Sequence, residues 1–378
     1  MPRRTSLSRS FASALVVAVA SPLAGQKVAA PTLSIHGYLT QGYGFSSRDT
    51  VMGLTPQGTA DYRRAAIVAR YSPAPQNAFV VQLGHRRLGD SPTMQFEDNL
   101  KVDMAFYEHR FAFGTSVRVG KSALPSGIFN EIRYVGTLLP FYRAPYSMYG
   151  EGTNTSETLN GVVASHRLRT GEPWELSTDL YAGGFDILSF HAVVPTSGPP
   201  IPTYQGEHLQ SKNVFGGQFW LSTPIEGLRV GTGGRRMEVY GGAVTATGPR
   251  VRVTTDLSAS IDGHFEKWQF KAEGDRARAA DFVVQSKYVQ VGVSPTSRVA
   301  LNVQREYLDI HADLLPAKLL LVNVNRDDAV GVNFMLDPRT VLKFEQHRTN
   351  GFNVEQVFNP FGPRIAGSYF LTSISTSF

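Results

Sequence analysis

The chain predicts an all-β fold: a single 16-stranded antiparallel barrel that crosses a membrane with its strands. Three observations lead there. Segments of strand length recur along most of the chain, apolar and polar residues alternate within them, and helical periodicity is nearly absent. The clearest segment has Val251, Val253, Thr255, Leu257, Ala259 and Ile261 on one face. Its other face carries Arg252, Thr254, Asp256, Ser258, Ser260 and Asp262, which no soluble core would accept. That split suits a sheet with lipid on one side and water on the other.

In order, strands are expected at Leu33 to Phe45, Asp61 to Tyr71, Ala78 to Leu88, Leu100 to Phe111 and Thr115 to Lys121. After a long excursion come Glu157 to Leu168 and Trp174 to Asp186, then Lys212 to Thr223 and Leu228 to Tyr240 around the turn Pro224-Ile225-Glu226-Gly227. Arg252 to Phe265 and Trp268 to Ala279 are joined by Glu266-Lys267. Asp281 to Val293 and Arg298 to Ile310 enclose Ser294-Pro295-Thr296-Ser297, while Arg326 to Leu336 and Val341 to Asn350 enclose Asp337-Pro338-Arg339-Thr340. Gly367 to Phe378 is the last strand, with Phe370, Thr372, Ile374 and Thr376 on one face and Ser373, Ser375 and Ser377 on the other. Short turns and long loops are expected to alternate, which places the tight turns on one side of the membrane. An even count brings the last strand beside the first, and a barrel of this size encloses an aqueous lumen. Aromatic residues near strand ends, such as Tyr43, Phe45, Trp174, Phe265 and Trp268, suit interfacial girdles.

The N-terminal segment reads as an export signal. Arg3, Arg4 and Arg9 form a positive region, and Phe11 to Ala20 is an apolar run too short to span a bilayer as a helix. Residues 1–30 are assigned to this signal, with cleavage between 20 and 30, and residues 31–378 to one barrel domain. With no cysteine, the chain cannot use disulfides, thiol chemistry or a lipoprotein anchor. The formal charge of +6 becomes +3 when Arg3, Arg4 and Arg9 leave with the signal, and the remaining basic residues are scattered, so nucleic acid is not an expected partner. The nine histidines show no metal-ligand spacing, and neither a metal nor a cofactor is expected. Gly231-Thr232-Gly233-Gly234 lies within a strand and opens no helix, which excludes a nucleotide loop.

The longest unpaired stretch runs from Ser122 to Ser156. Its Phe129, Tyr134, Leu139, Phe141, Tyr142, Tyr146, Met148 and Tyr149 require a surface to pack against, so an ordered, functional loop is expected. Gly120-Lys121 followed by Pro125, Gly127-Ile128-Phe129-Asn130-Glu131 and Arg133 resembles a motif of outer-membrane porins of the phosphate-selective and dicarboxylate type, departing at Lys121 and Ser126. The terminal Phe378 likewise resembles the C-terminal signature of Gram-negative outer-membrane barrels, where it is read by the assembly machinery.

The resemblance implies a homotrimeric porin of the cell outer membrane, surrounded by lipid and lipopolysaccharide, passing small hydrophilic solutes. It also implies that the loop between strands five and six folds inward as a constriction. Glu131, Arg133 and Arg143 are then candidates for that constriction, faced by Arg118 and Arg86 from the wall. Glu131 and Arg133 could instead pair to hold the loop. The inferred lumen face is nearly balanced in charge, from Arg64, Arg70 and Lys101 to Asp103, Glu306 and Glu345, and the arginines near the loop favour small anions weakly. An outer-membrane phospholipase or protease would need an aligned nucleophile and histidine, and no such spacing stands out. An adhesin-like structural barrel would need elongated external loops, for which the Pro-rich Ala192 to Glu207 is the one hint.

Overall fold

In the computed structural model every strand pairs antiparallel with its sequence neighbours, and the first pairs with the last, so that the sheet closes on itself. Residues 30–95, 100–150, 157–169, 174–193, 203–241, 251–279, 282–314, 317–351 and 365–378 are described. The expected export signal therefore lies outside the described residues, apart from Ala30. The strands are β1 Thr32–Ser46, β2 Thr59–Ala74, β3 Asn77–Leu88, β4 Leu100–Arg110, β5 Thr115–Ala123, β6 Thr158–Arg169, β7 Glu175–Val193 and β8 Thr203–Ser222. They continue as β9 Leu228–Tyr240, β10 Val251–Phe265, β11 Trp268–Arg278, β12 Phe282–Thr296, β13 Val299–Leu314, β14 Ala317–Asp337, β15 Thr340–Gly351 and β16 Ile365–Ser377. The predicted count of 16 stands, and no described helix is long and apolar enough to cross a membrane.

Burial along the strands is inverted relative to a soluble protein. Leu257 is 70% exposed whereas Asp256, next to it on β10, is 5% exposed. On β15, Lys343, Glu345, His347 and Thr349 are buried while Phe344 between them is exposed. The exposed face is the outside of the barrel, and its leucine, isoleucine, valine and phenylalanine residues form a surface suited to lipid chains. The expected girdle residues Tyr43, Phe45, Trp174, Phe265 and Trp268 are all exposed.

Two hairpins depart from the sequence reading. β7 and β8 stay paired as far as Val193 opposite Thr203, so both ends of the Ala192 to Glu207 segment, Ala192 with Val193 and Thr203 to Glu207, are strand and not loop, while residues 194–202 lie outside the described residues. β14 begins at Ala317, well before Arg326, and pairs Leu319, Leu320 and Leu321 with Ala312, His311 and Ile310. Consequently β13 and β14 are separated only by residues 315–316, and the alternation of long and short connections is not strict. The physical reason is that pairing continues wherever two facing segments both have strand propensity, irrespective of where the lipid ends.

The β1–β16 seam is completed by the C-terminal residue. Phe378 and Gly37 exchange two backbone hydrogen bonds, each of 3.0 Å. The Phe378 ring lies over Gly37, where an added Cβ would come within 2.4 Å of the ring and 2.7 Å of the Ala66 carbonyl oxygen. Gly37→Val is therefore expected to lower the temperature at which the folded barrel converts to its unfolded form on semi-native electrophoresis. Gly274→Ala, whose Cβ would meet nothing nearer than 3.9 Å, is expected to leave that temperature unchanged.

Candidate functional site

The segment from Leu124 to Gly150 lies against the inner wall of the barrel, and polar side chains from strands all around the barrel hold its backbone. Leaving β5, the chain turns at Gly127, whose φ of 63° is accessible to glycine, and whose missing Cβ leaves room for the Tyr149 hydroxyl and Glu273. The Gly127 N–H donates to Gln218 Oε1 on β8 at 3.1 Å, and the Ile128 N–H donates to Glu273 Oε1 on β11 at 2.9 Å. Glu273 also accepts hydrogen bonds from Tyr149, from Tyr288 on β12 at 2.5 Å and from Ser260 on β10 at 2.7 Å. One buried carboxylate thus gathers two wall strands and both ends of the loop.

Further along, Gly136 approaches the seam so closely that a Cβ would lie 2.3 Å from both Thr40 Oγ1 on β1 and Ser375 Oγ on β16. Lys343 Nζ on β15 donates to the carbonyls of Leu139 at 2.5 Å and Phe141 at 3.0 Å, and Asn333 on β14 donates to that of Pro140 at 3.0 Å. The Tyr142 N–H donates to Glu345 at 2.6 Å. Ser147 opens the second residue of a single helical turn, α1 Tyr146–Tyr149, and donates through N–H and hydroxyl to Glu306 on β13 at 3.1 and 3.2 Å. Backbone N–H groups meet carboxylates and the Gln218 amide, and carbonyls meet the Lys343 ammonium and the Asn333 amide, so these parts of the loop backbone are satisfied although they belong to no sheet.

Apolar residues of the loop fill the spaces between these ties. Tyr142 and Tyr146 join Met52, Leu54, Tyr62, Tyr369 and Leu371 in one buried cluster, and Phe129, Leu139, Met148 and Tyr149 join Tyr288 in another. The expectation that these aromatic residues need a packing surface is met, while Leu138 remains 58% exposed. Burial pushes the Tyr142 phenol up to about 12, and burial together with the Glu273 charge raises Tyr149 well above its ordinary value, so both stay neutral at physiological pH and Tyr149 keeps its proton for Glu273.

The five charged residues singled out from the motif fall into three places. Glu131 pairs with Arg118 of β5, Nη1 to Oε1, at 3.1 Å, and this is the more solvent-accessible pair, with 53% of the Glu131 side chain exposed. Arg118 also lies 3.5 Å from Glu108 on β4, which Arg70 of β2 holds at 2.9 Å. Arg86 of β3 and Arg133 of the loop both stack on the Tyr134 ring, at 4.9 and 5.4 Å from its centre. Arg133 is buried and donates to Asn130 at 3.0 Å, and Arg86 pairs with Glu157 at 2.9 Å. Arg143 lies apart from both groups, donating to the Tyr62 hydroxyl at 2.5 Å and the Met52 carbonyl at 3.4 Å beside the β1–β2 connection.

Arg64 completes the Tyr134 cluster and was only a general lumen residue in the sequence reading. Its guanidinium lies 4.9 Å from the Tyr134 ring centre and donates to the Tyr142 carbonyl at 3.2 Å. Arg64 and Arg86 are direct cross-strand partners, a like-charge pairing that costs energy unless something screens it. Tyr134 and Glu157 supply that screening. Burial alone would raise the Glu157 carboxyl, but Lys101, Arg86 and Arg133 outweigh it and hold the group well below the usual carboxylate range. Among the signals available in sequence, only the strand register could have found this cluster, because Glu157 reads as the first residue of a strand and Tyr134 as packing.

A closed 16-stranded antiparallel barrel with an apolar exterior and a charged interior is the architecture of a membrane-spanning β-barrel. Known protein families and curated proteins gave no match to the chain. Solved structures do. OmpF of Salmonella typhi, in complex with daunomycin, superposes with a TM-score of 0.62 at 9% identity, covering 92% of this chain and 97% of that one. The outer membrane channel DcaP of Acinetobacter baumannii gives 0.57 at 8% identity, covering 92% and 98%. An anion-selective porin from Comamonas acidovorans gives 0.56 at 9% identity, covering 92% and 100%. At such identities the likeness is one of fold.

The Glu273 hub yields a direct expectation. Glu273→Leu leaves the Ile128 N–H and the hydroxyls of Ser260, Tyr149 and Tyr288 without their acceptor, at about 1–3 kcal/mol for each donor that stays buried and unpaired. The variant is expected to release the loop, seen as trypsin cleavage at Arg133 or Arg143 under conditions where the parent protein resists. Equal protection would place the hold on the loop elsewhere.

Proposed function

We propose that the chain is an outer-membrane porin, a water-filled passive channel for small hydrophilic solutes, and not an enzyme. The observation that carries this reading is the loop tied by wall side chains across a polar lumen. A segment so placed narrows the passage, and the charges left around it set the selectivity. The motif around Gly127 to Arg133 supports affinity with the phosphate-selective and dicarboxylate-type porins. In this reading the export signal is removed between residues 20 and 30, Phe378 is read by the barrel-assembly machinery, and the mature chain forms a homotrimer surrounded by outer-membrane lipid and lipopolysaccharide.

Within the constriction, Glu131, Arg133, Arg143, Arg118 and Arg86 keep their assignment as the residues that set ion preference, with unequal weights. Glu131 and Arg118 face water and act directly. Arg86 and Arg133, stacked on Tyr134 with Arg64, act as a positive cluster partly offset by Glu157. Arg143 acts from beside the β1–β2 connection, apart from both groups. The arginines outnumber the acids, which favours small anions weakly.

Planar-bilayer recording across a salt gradient tests both parts of this reading. Purified protein is expected to insert as stable channels in multiples of three, and a non-conducting barrel would exclude the proposal. Glu131→Gln is expected to move the zero-current potential toward anion preference and Arg118→Gln toward cation preference. The double variant Arg133→Ala with Arg143→Ala is expected to shift it toward cations as well. An unchanged reversal potential in all three, with the trimer intact, would place the selectivity filter elsewhere.

A further inference from the structure

Three buried carboxylates on β13 to β15 stand where the loop meets the wall, and one of them has no counter-charge of its own. Glu345 accepts the Tyr142 N–H and feels the charge of Lys343, two residues away on the same face of β15. Asp327 on β14 faces His347, whose Nδ1 lies 2.7 Å from Asp327 Oδ1 and whose Nε2 lies 3.3 Å from Glu345 Oε2. A ring with a carboxylate oxygen at each nitrogen donates from both, as the imidazolium does, and so carries one positive charge. Glu306 on β13 hydrogen-bonds only to neutral donors, the Ser147 N–H and hydroxyl. Three acids thus share two cations.

Register sharpens the imbalance. Glu306 and Asp327 are direct cross-strand partners, 2% and 1% exposed, and like charges so placed destabilise a strand pair. Beside them lies a cavity of about 20 Å³, room for one water-sized occupant, bordered by Met52, Tyr142, Gln304, Glu306, Asp327 and His347 among others. Two buried oxygens of residues in that lining, Asp327 Oδ2 and Tyr142 Oη, have no hydrogen-bond partner among the described residues. Arg143 also borders the cavity, but its guanidinium donates to the Tyr62 hydroxyl and the Met52 carbonyl, on the side of the β1–β2 connection.

We infer that this cavity binds one monovalent metal cation, potassium or sodium, between Glu306, Asp327 and Tyr142. A water molecule would serve the two unpartnered oxygens yet leave the excess charge buried, which is the larger cost. One positive charge removes that excess. Carboxylate and phenol oxygens are donors suited to a hard cation, and among the described residues no three His, Cys, Asp or Glu side chains converge as they would on a multivalent ion. The bound ion would relieve the repulsion across β13 and β14 and leave Glu306 charged to hold Ser147, so it seats the turn α1 against the wall. No spacing in the sequence marks the site, because register alone joins residues 306 and 327. The inference concerns how the loop is held and stands whether or not the barrel conducts.

The test uses full-length protein in detergent, at one pH and one ionic strength, in potassium, sodium or N-methylglucamine chloride. The unfolding temperature is expected to be higher in potassium or sodium than in the bulky organic cation, and to rise with the logarithm of the alkali concentration. Trypsin cleavage at Arg143 is expected to slow by about tenfold in the same salt, since a bound ion stabilises only the seated loop. Glu306→Gln keeps an acceptor for Ser147 and removes the excess charge, so it should unfold at one temperature in all three salts. Asp327→Asn should do the same, while Glu266→Gln, at the β10–β11 turn, should keep the alkali response. In crystals of the parent protein soaked in rubidium chloride, an anomalous peak is expected between Glu306 and Asp327. Equal unfolding temperatures of the parent in the three salts would overturn the inference. So would an alkali response that survives in both variants, rubidium-soaked crystals with no anomalous peak there, or a loop whose protection follows pH and not the cation, which would mean that a proton neutralises the pair.

Discussion

A backbone inside hydrocarbon has no water to satisfy its N–H and C=O groups, and an open sheet would leave two unsatisfied edges. Closure is therefore the constraint on which the rest of this structure depends. With every neighbouring pair antiparallel it requires an even number of strands, brings β1 against β16, and gives every strand one face toward lipid and one toward the lumen. The cost falls on the interior, because a ring of 16 strands is too wide for its own side chains to fill. The Leu124 to Gly150 segment answers that geometry from within. It brings aromatic side chains to the inner wall, and wall carboxylates, amides and Lys343 serve its backbone.

The polar contacts inside the barrel take over the work that apolar packing does in a soluble domain. Glu273, Glu306, Glu345 and Lys343 are all buried, yet each has a partner in the loop. Buried charges are costly when they lose a partner, and so a wall built this way specifies one loop path over its alternatives. The arginine cluster around Tyr134 follows the same logic. Arg64 and Arg86 would repel across β2 and β3, and the aromatic ring and Glu157 between them make the pairing tolerable.

Much of the fold was legible in the sequence because alternation is a local property. Val251 to Ile261 against Arg252 to Asp262 declares its two environments without knowledge of any partner strand. The ends of β7, β8, β13 and β14 were not legible, since Leu319 to Leu321 become strand only because Ile310 to Ala312 are there to pair with them. The loop motif put Glu131 and Arg133 in one segment between β5 and β6. It could not show that Glu131 meets Arg118, that Arg133 meets Tyr134, or that Arg143 turns to Tyr62, because those meetings depend on registers between strands distant in sequence.

The approach of Gly136 to Thr40 on one side of the seam and Ser375 on the other carries a consequence for closure. The two strands that meet last in sequence, 335 residues apart at that contact, are bridged by a segment that emerges before the midpoint of the chain. Closing of the sheet and seating of the loop are therefore coupled: Thr40 and Ser375 come together beside Gly136 only when β1 and β16 are paired, and a loop displaced from the wall withdraws its contact from the seam.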